Sequence, residues 1–317
     1  MSWKPELEEL AERQRLAEKM GGEEKVSRQH DRGKLDARAR IAGIVDEGSF
    51  REIGKIAGRG TYAEDGTFED FAPSNLIFGR ANIEGRPVVA SADDFTVRGG
   101  AADAALHRKF TQCEKMAHTL GIPMIRMIDG TGGGGSVKSL EDMGFTYVPA
   151  VPGWEDIIRN LDTVPVVALA LGPTAGMGAA RTVASHYSIM VKGLSQIFAA
   201  GPTVAAAIGD TLTKEQLGGS EIHATNGVVD EEVASEAEAF VTARKFLSYL
   251  PGNVNQLAAR TENWDPVDRR DESLLSAVPR ADKQVYSMRK IMTSVFDEGS
   301  VFEMGKRWGR AAITAFA

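Results

Sequence analysis

Two glycine-rich runs carry the chemistry most visible in this chain of 317 residues. The first is Ile125-Arg-Met-Ile-Asp-Gly-Thr-Gly-Gly-Gly-Gly135-Ser. The second is Val166-Val-Ala-Leu-Ala-Leu-Gly-Pro-Thr-Ala-Gly-Met-Gly178-Ala-Ala-Arg. Each follows an apolar stretch that reads as a strand. Glycine lets backbone N–H groups face a ligand with no side chain in the way. A helix starting at Gly176 adds unpaired N–H groups. Two such donors can hold the oxygen of an enolate or a tetrahedral intermediate. Tight strand-to-helix turns, which any α/β protein needs, account for the same glycines equally well. The first run also matches G-x-G-x-x-G at Gly130, Gly132 and Gly135. A dinucleotide site wants an acid at the end of the next strand, and that strand ends Leu169-Ala-Leu-Gly-Pro.

A second feature is the basic island of Arg28, Arg32, Lys34, Arg38 and Arg40, set against only Asp31 and Asp36. It suits a phosphate-bearing ligand, and it equally suits a solvated helix face paired with its neighbours. His30, His107, His118, His186 and His223 lack metal-ligand spacing, and no Gly-x-Ser-x-Gly elbow exists for a serine nucleophile. Cys113 falls within an apparent helix and reads as packed rather than reactive. The chain offers backbone donors but no obvious acid–base pair of side chains.

Positioning those groups falls to alternating elements. Pro5 to Met20 reads as a helix stopped by Gly21-Gly22, a charged arm lying on something else. Ala37 to Val45 is a second helical stretch. From Phe50 onward, runs rich in Val and Ile recur at Asn75–Asn82, Pro87–Ser91, Ile122–Ile128, Val164–Leu171 and Ser188–Val191. Helical stretches lie at Ala101–Leu120, Trp154–Leu161 and Ser235–Leu250. This alternation predicts an α/β fold with a mostly parallel sheet, its strands covered on both faces.

Composition narrows the classes. Lys+Arg 37 against Asp+Glu 44 leave a net charge of −7, so no global basic field holds nucleic acid or a lipid surface. The single cysteine excludes an internal disulfide and a multi-cysteine zinc site. It points, with the Glu-rich N-terminal segment, to a reducing, cytoplasmic setting. The longest uncharged stretch, Thr163 to Ala180, holds Pro165 and Pro173 and reads as a buried strand entering a turn, not a membrane span.

Asp46-Glu-Gly-Ser-Phe-Arg-Glu-Ile-Gly-Lys55 returns as Asp297-Glu-Gly-Ser-Val-Phe-Glu-Met-Gly-Lys306, and in the same register Arg38 meets Arg289. A domain-sized offset indicates tandem related domains, not a solenoid. The expected organisation is an arm at 1–45, a domain at 46–252, a polar linker at 253–282, and the opening of a truncated second repeat at 283–317.

The chain resembles the carboxyltransferase (β) subunits of biotin-dependent acyl-CoA carboxylases of the propionyl-CoA and methylcrotonyl-CoA types. The resemblance rests on the Arg28–Ile41 segment, Asp46-Glu-Gly-Ser-Phe, Asp94-Phe-Thr-Val-Arg-Gly-Gly, Gly172-Pro-Thr-Ala-Gly and Phe198-Ala-Ala-Gly-Pro. It continues with Leu217-Gly-Gly, Asn226-Gly-Val-Val-Asp and Leu247-Ser-Tyr-Leu-Pro, in that order. It implies two crotonase-like ββα-superhelix domains in tandem (the ClpP/crotonase superfamily), of which this chain holds the acyl-CoA half. It also implies a thioester enolate held by backbone N–H groups, with Gly132 or Gly133 and Gly176 or Met177 as donors. Carboxybiotin then supplies CO2 and its ureido nitrogen takes the α-proton.

By the same resemblance the CoA-binding residues are Arg28, Arg32, Lys34, Arg38, Phe95, Gly99, Gly100, Ala175, Phe198 and Gly201. Biotin would ride on a separate biotin carboxylase or carrier chain, since no Met-Lys-Met appears here. The assembly would be a homo-oligomer, typically a hexamer, without metal, nucleic acid or membrane. Two positions depart from the family. Asp129-Gly-Thr-Gly-Gly-Gly-Gly135 stands for the common Asp-Ser-Gly-Gly-Ala-Arg, and Met177 stands for a common glycine. A decarboxylase running the same site in reverse, or a non-catalytic acyl-CoA-binding module, are the alternative functions.

Overall fold

The apolar runs become the strands of one sheet in the computed structural model, which describes residues 2–101, 106–132, 140–141, 144–145, 153–260, 262, 265–309 and 311–317. Three helices come first: α1 (Lys4–Glu18), α2 (Glu23–His30) and α3 (Ala37–Ile44). Strands β1 (Arg51–Glu52), β2 (Gly58–Tyr62), β3 (Phe68–Pro73), β4 (Leu76–Ile83) and β5 (Arg86–Asp93) follow. Then come α4 (His107–Leu120), β6 (Met124–Gly132), α5 (Trp154–Thr163), β7 (Val166–Gly176), α6 (Met177–Val183), β8 (Tyr187–Val191) and β9 (Gln196–Phe198). Short helices α7 (Pro202–Ala207), α8 (Lys214–Gly218) and α9 (Ser220–Asn226) precede β10 (Glu231–Val233) and α10 (Glu236–Ser248). Helix α11 (Met288–Val295) and strands β11 (Phe302–Met304) and β12 (Thr314–Phe316) end the described chain.

The main sheet has the order β1-β4-β5-β6-β7-β8-β10, with β9 beside β7. From β5 to β10 every pairing is parallel, as the βα alternation predicts. The β4–β5 pair is instead an antiparallel hairpin, a local departure from that expectation. Its two-residue turn, Glu84-Gly85, has φ of 51° and 76°, the mirror-image turn that fits the strand twist. The Asp46 carboxylate accepts both turn N–H groups at 2.8 Å, which lowers its pKa.

Side chains alternate between two covers. Val88, Ala90 and Ala92 face a core shared with Ile41 and Ile44 of α3 and Phe240 and Phe246 of α10. Val89 and Met124 face Cys113 and Ala117 of α4. Burial of both faces explains why the strands read as continuous apolar runs. The charged arm has its partner too: α1 packs on β3, with Arg13 over the Phe68 ring at 4.7 Å.

Two expectations change. Within the described residues the glycine-rich runs begin as strand and not as turn: β6 continues to Gly132 and β7 to Gly176 as paired strands, and the second run turns only at Gly176. The helix expected from Ala101 begins, within the described residues, at His107. Helix α2 and the β2–β3 hairpin have no counterpart in the sequence reading; they are too short and polar to show a period.

The sequence repeat is also a conformational one. Helices α3 and α11 start and stop at equivalent positions. Val45 and Phe296 cap them by donating to Ile41 O and Met292 O, at 3.2 and 3.0 Å. Arg38–Glu52 at 2.8 Å is matched by Arg289–Glu303 at 2.5 Å. β11 and β12 dock on the main core through Phe302 and Phe316, which join Tyr187, Phe246 and Tyr249 in an aromatic cluster. Among the described residues no helix is long and apolar enough to cross a membrane.

Candidate functional site

Asp94-Phe-Thr-Val-Arg-Gly-Gly leaves the end of β5 as a tight loop. Asp94 accepts from Thr96 N at 2.9 Å, and Gly21 N donates to Thr96 Oγ1 at 2.9 Å, tying the arm to the loop. Arg98, Gly99 and Gly100 all have positive φ. Gly100 needs to be glycine for a second reason: a Cβ there would stand 2.8 Å from Gly130 Cα. The loop therefore leans its backbone directly on the tip of β6.

Between this loop and the basic face of α2 lies a cavity of about 210 Å3. Lys25, Arg28, Gln29, Arg32, Lys34, Phe95, Thr96, Arg98 and Gly99 line it. Of the candidates, Arg28, Arg32, Lys34, Phe95 and Gly99 thus come together, and Lys25, Gln29, Thr96 and Arg98 are additions. The cations are not equivalent. Arg28 pairs with Glu24 of its own helix turn on an exposed face, a contact worth little. Lys34 is buried, its amine 2.5 Å from Asp129 Oδ2 and 4.8 Å from the Phe95 ring centre. Burial lowers the Lys34 pKa, against the pull of Asp129. Arg38 lies outside the cavity lining and is spent on Glu52. Charge count alone cannot separate these roles.

The second half of the site is the pair of strand tips. Gly130, Thr131 and Gly132 run beside Thr174, Ala175 and Gly176. Gly176, at φ 56° and ψ −115°, turns the chain into α6, whose first residue is Met177 and whose first turn no side chain caps. Ala175, Gly176 and Met177 are half-buried. Phe198 pairs in register with Ala175, and Gly201 is the N-cap of α7, where a Cβ would touch the Phe198 ring. Ala175, Phe198 and Gly201 hence sit at the strand tips and not in the basic cavity. Gly133, the other candidate donor in the first run, lies outside the described residues.

Buried charges brace these tips. Asp129 receives Lys34 and Arg40, and Arg40 reaches on to Glu236. Asp93, at the end of β5, pairs with Arg181 of α6 at 3.2 Å, and burial raises its pKa. Arg126 and Glu114 pair at 2.8 Å beneath them. None of these acids was picked out from sequence. For Asp129 the available signal was an ionisable residue inside an apolar strand, which persists only when paired; Glu114 and Glu236 lie on helices and carried no such signal. Among the described residues no group of three or more His, Cys, Asp or Glu could hold a metal. Cys113 is buried and its thiol pKa is pushed up by that burial.

Comparison with known proteins gives the geometry its context. Residues 28–317 match the family model described as Carboxyl transferase domain. A propionyl-CoA carboxylase carboxyltransferase subunit of Haloferax mediterranei is 31% identical over 323 residues, 100% of this chain and 61% of the relative. A methylmalonyl-CoA decarboxylase subunit alpha of Veillonella parvula is 29% identical, over 94% of this chain and 58% of the relative. The structure of a transcarboxylase 12S hexamer with methylmalonyl-coenzyme A and methylmalonic acid bound superposes with a TM-score of 0.85 at 28% identity. That match covers 100% of this chain and 61% of the solved one. The chain spans about three-fifths of the length of these relatives.

Proposed function

The chain belongs to the carboxyl transferase domain family, and from that membership we propose that it is the acyl-CoA-binding half of a biotin-dependent carboxyltransferase. Its α/β architecture is crotonase-like, as the resemblance implied. The observation that carries the proposal is the junction of two sites at one end of the central strands. A cation-lined cavity suited to phosphate meets a pair of glycine strand tips suited to a thioester oxygen, and the Gly100–Gly130 backbone contact joins them.

In this reading Arg28 and Arg32 bind CoA phosphate, and Phe95 and Gly99 wall the nucleotide end. The N–H groups near Gly132 and Met177 hold the thioester oxygen as enolate charge develops. Met177, where relatives of this kind commonly have glycine, adds side-chain bulk beside the acyl group. Carboxybiotin on a separate carrier would supply CO2 and, once decarboxylated, a ureido nitrogen to take the α-proton, so no side chain of this chain need serve as base. Residues 46–252 would form the acyl-CoA domain, with 1–45 as its arm and 253–282 as a linker. Residues 283–317 would open a second repeat, which the matched helices and ion pairs support. A biotin carboxylase partner, a homo-hexameric assembly and a cytoplasmic setting complete the proposal. The similarity to a methylmalonyl-CoA decarboxylase subunit favours a second reading, the same transfer run in reverse.

Calorimetric titration tests the cavity. Arg32→Glu should weaken CoA about tenfold, or ~1.4 kcal/mol, and weaken a CoA lacking its 3′-phosphate by less. Unchanged CoA affinity would remove the cavity from the site. Lys34 is unsuited to this test, because its amine belongs to the Asp129 cluster.

A further inference from the structure

Strands β6 and β7 change register just before their tips. Met127 lies beside Leu169 and Ile128 beside Ala170, yet Gly130 lies beside Thr174. Two steps along β6 therefore match four along β7. Pairing then continues regularly through Thr131–Ala175 to Gly132–Gly176. The extra length of β7 falls at Leu171–Pro173, opposite Asp129. Such a bulge gives up ladder hydrogen bonds, so its register needs support from outside the two strands.

One side chain spans the slip. Arg40, wholly buried, donates Nη1 to Asp129 Oδ2 on β6 and Nη2 to the Leu171 carbonyl on β7, both at 2.8 Å. Glu236 holds it from behind, accepting Nη2 at 2.8 Å and Nε at 3.0 Å. A rigid planar fork bonded to both strands fixes their offset in a way that a flexible ammonium cannot. Gly172 shows how closely the parts fit: a Cβ there would lie 2.0 Å from Asp129 Oδ1 and 2.5 Å from Lys34 Nζ.

We propose that Arg40 and Asp129 are positioning residues that set the offset of the β6 and β7 tips and so aim the backbone N–H groups near Gly132 and Met177. The inference rests on those groups being the donors to the thioester oxygen, and its test separates the two ideas. The probe is propionyl-CoA labelled with 13C at the thioester carbonyl, bound to the whole chain. Isotope-edited infrared spectroscopy reads the carbonyl frequency while calorimetry reads affinity.

In the wild-type chain the bound carbonyl should absorb at lower frequency than the free thioester. Arg40→Lys keeps the charge and loses the fork; Asp129→Asn keeps the shape and loses the charge. Each should lose most of that shift. In Arg40→Lys affinity should change less than about threefold, because Arg40 does not line the phosphate cavity. Asp129→Asn also frees the cavity residue Lys34 and is read by the shift alone. Glu236→Gln loosens Arg40 without altering either strand, and it decides the matter with a reduced shift if the other variants do not fold. A full wild-type shift in folded Arg40→Lys or Asp129→Asn, or in Glu236→Gln when it alone folds, overturns the positioning role and leaves the donors standing. No shift in the wild-type complex overturns the donor reading, and this inference with it.

Discussion

Lys109 shows how burial sets the behaviour of single residues here. It is 7% exposed on α4, and desolvation brings its pKa down to about 8 although Glu52 nearby pulls it upward. An unfolded lysine titrates near 10.4, so between those values the unfolded chain holds more protons than the folded one. The cost to stability is complete below pH 8 and fades as pH rises towards 10.4. Lys109→Met should therefore stabilise the chain at pH 7 by up to roughly 3 kcal/mol, with the gain shrinking at pH 10. Urea melts of both proteins at the two pH values check this, and an equal gap at both would be inconsistent with it. The basic island makes a related point. Lys34, Arg38 and Arg40 looked like Arg28 and Arg32 in the sequence, but they are committed to Asp129, Glu52 and Glu236. Only partners from distant segments distinguish them.

At the scale of elements, the glycines of β7 are matters of space as much as of conformation. Gly172 faces the Asp129 cluster in an otherwise apolar strand, and no room exists there for a methyl group. Gly172→Ala must push Asp129 and Lys34 apart or bend β7, and overpacking of this kind costs about 1–3 kcal/mol, with more added if the ion pairs break. Thermal melting of the folded variant measures it; a midpoint equal to wild type would mean the strand relaxes freely. The strands themselves were legible, since each apolar run marked one within a few residues. Their tips were not. Gly-rich sequence reads as turn, but Gly130–Gly132 and Thr174–Gly176 satisfy each other as a ladder. Pairing between β6 and β7 decides this, and no local pattern carries it.

For the whole molecule, the repeat places equivalent residues in unlike surroundings. Ile44 of α3 is 0% exposed and Val45 6%, under β4, β5 and α10. Their counterparts Val295 and Phe296 are 59% and 42% exposed. Ile44→Ala should cost about 2–5 kcal/mol in denaturant unfolding, whereas Val295→Ala should stay within about 0.5 kcal/mol. Similar losses at both positions would show that α11 is covered in solution.

By itself the sequence determined the α/β class, the positions of strands β4 to β8, the repeat and the family resemblance, because hydrophobic period and motif order are local properties of the chain. Only the tertiary structure decided which cations line the cavity, how the glycine tips are offset, and which acids brace them. Arg40 meets Asp129 across 89 residues and Glu236 across 196. Contacts at such separations come from the packing of sheet against helices, and spacing along the chain does not encode them in any form a reader can extract.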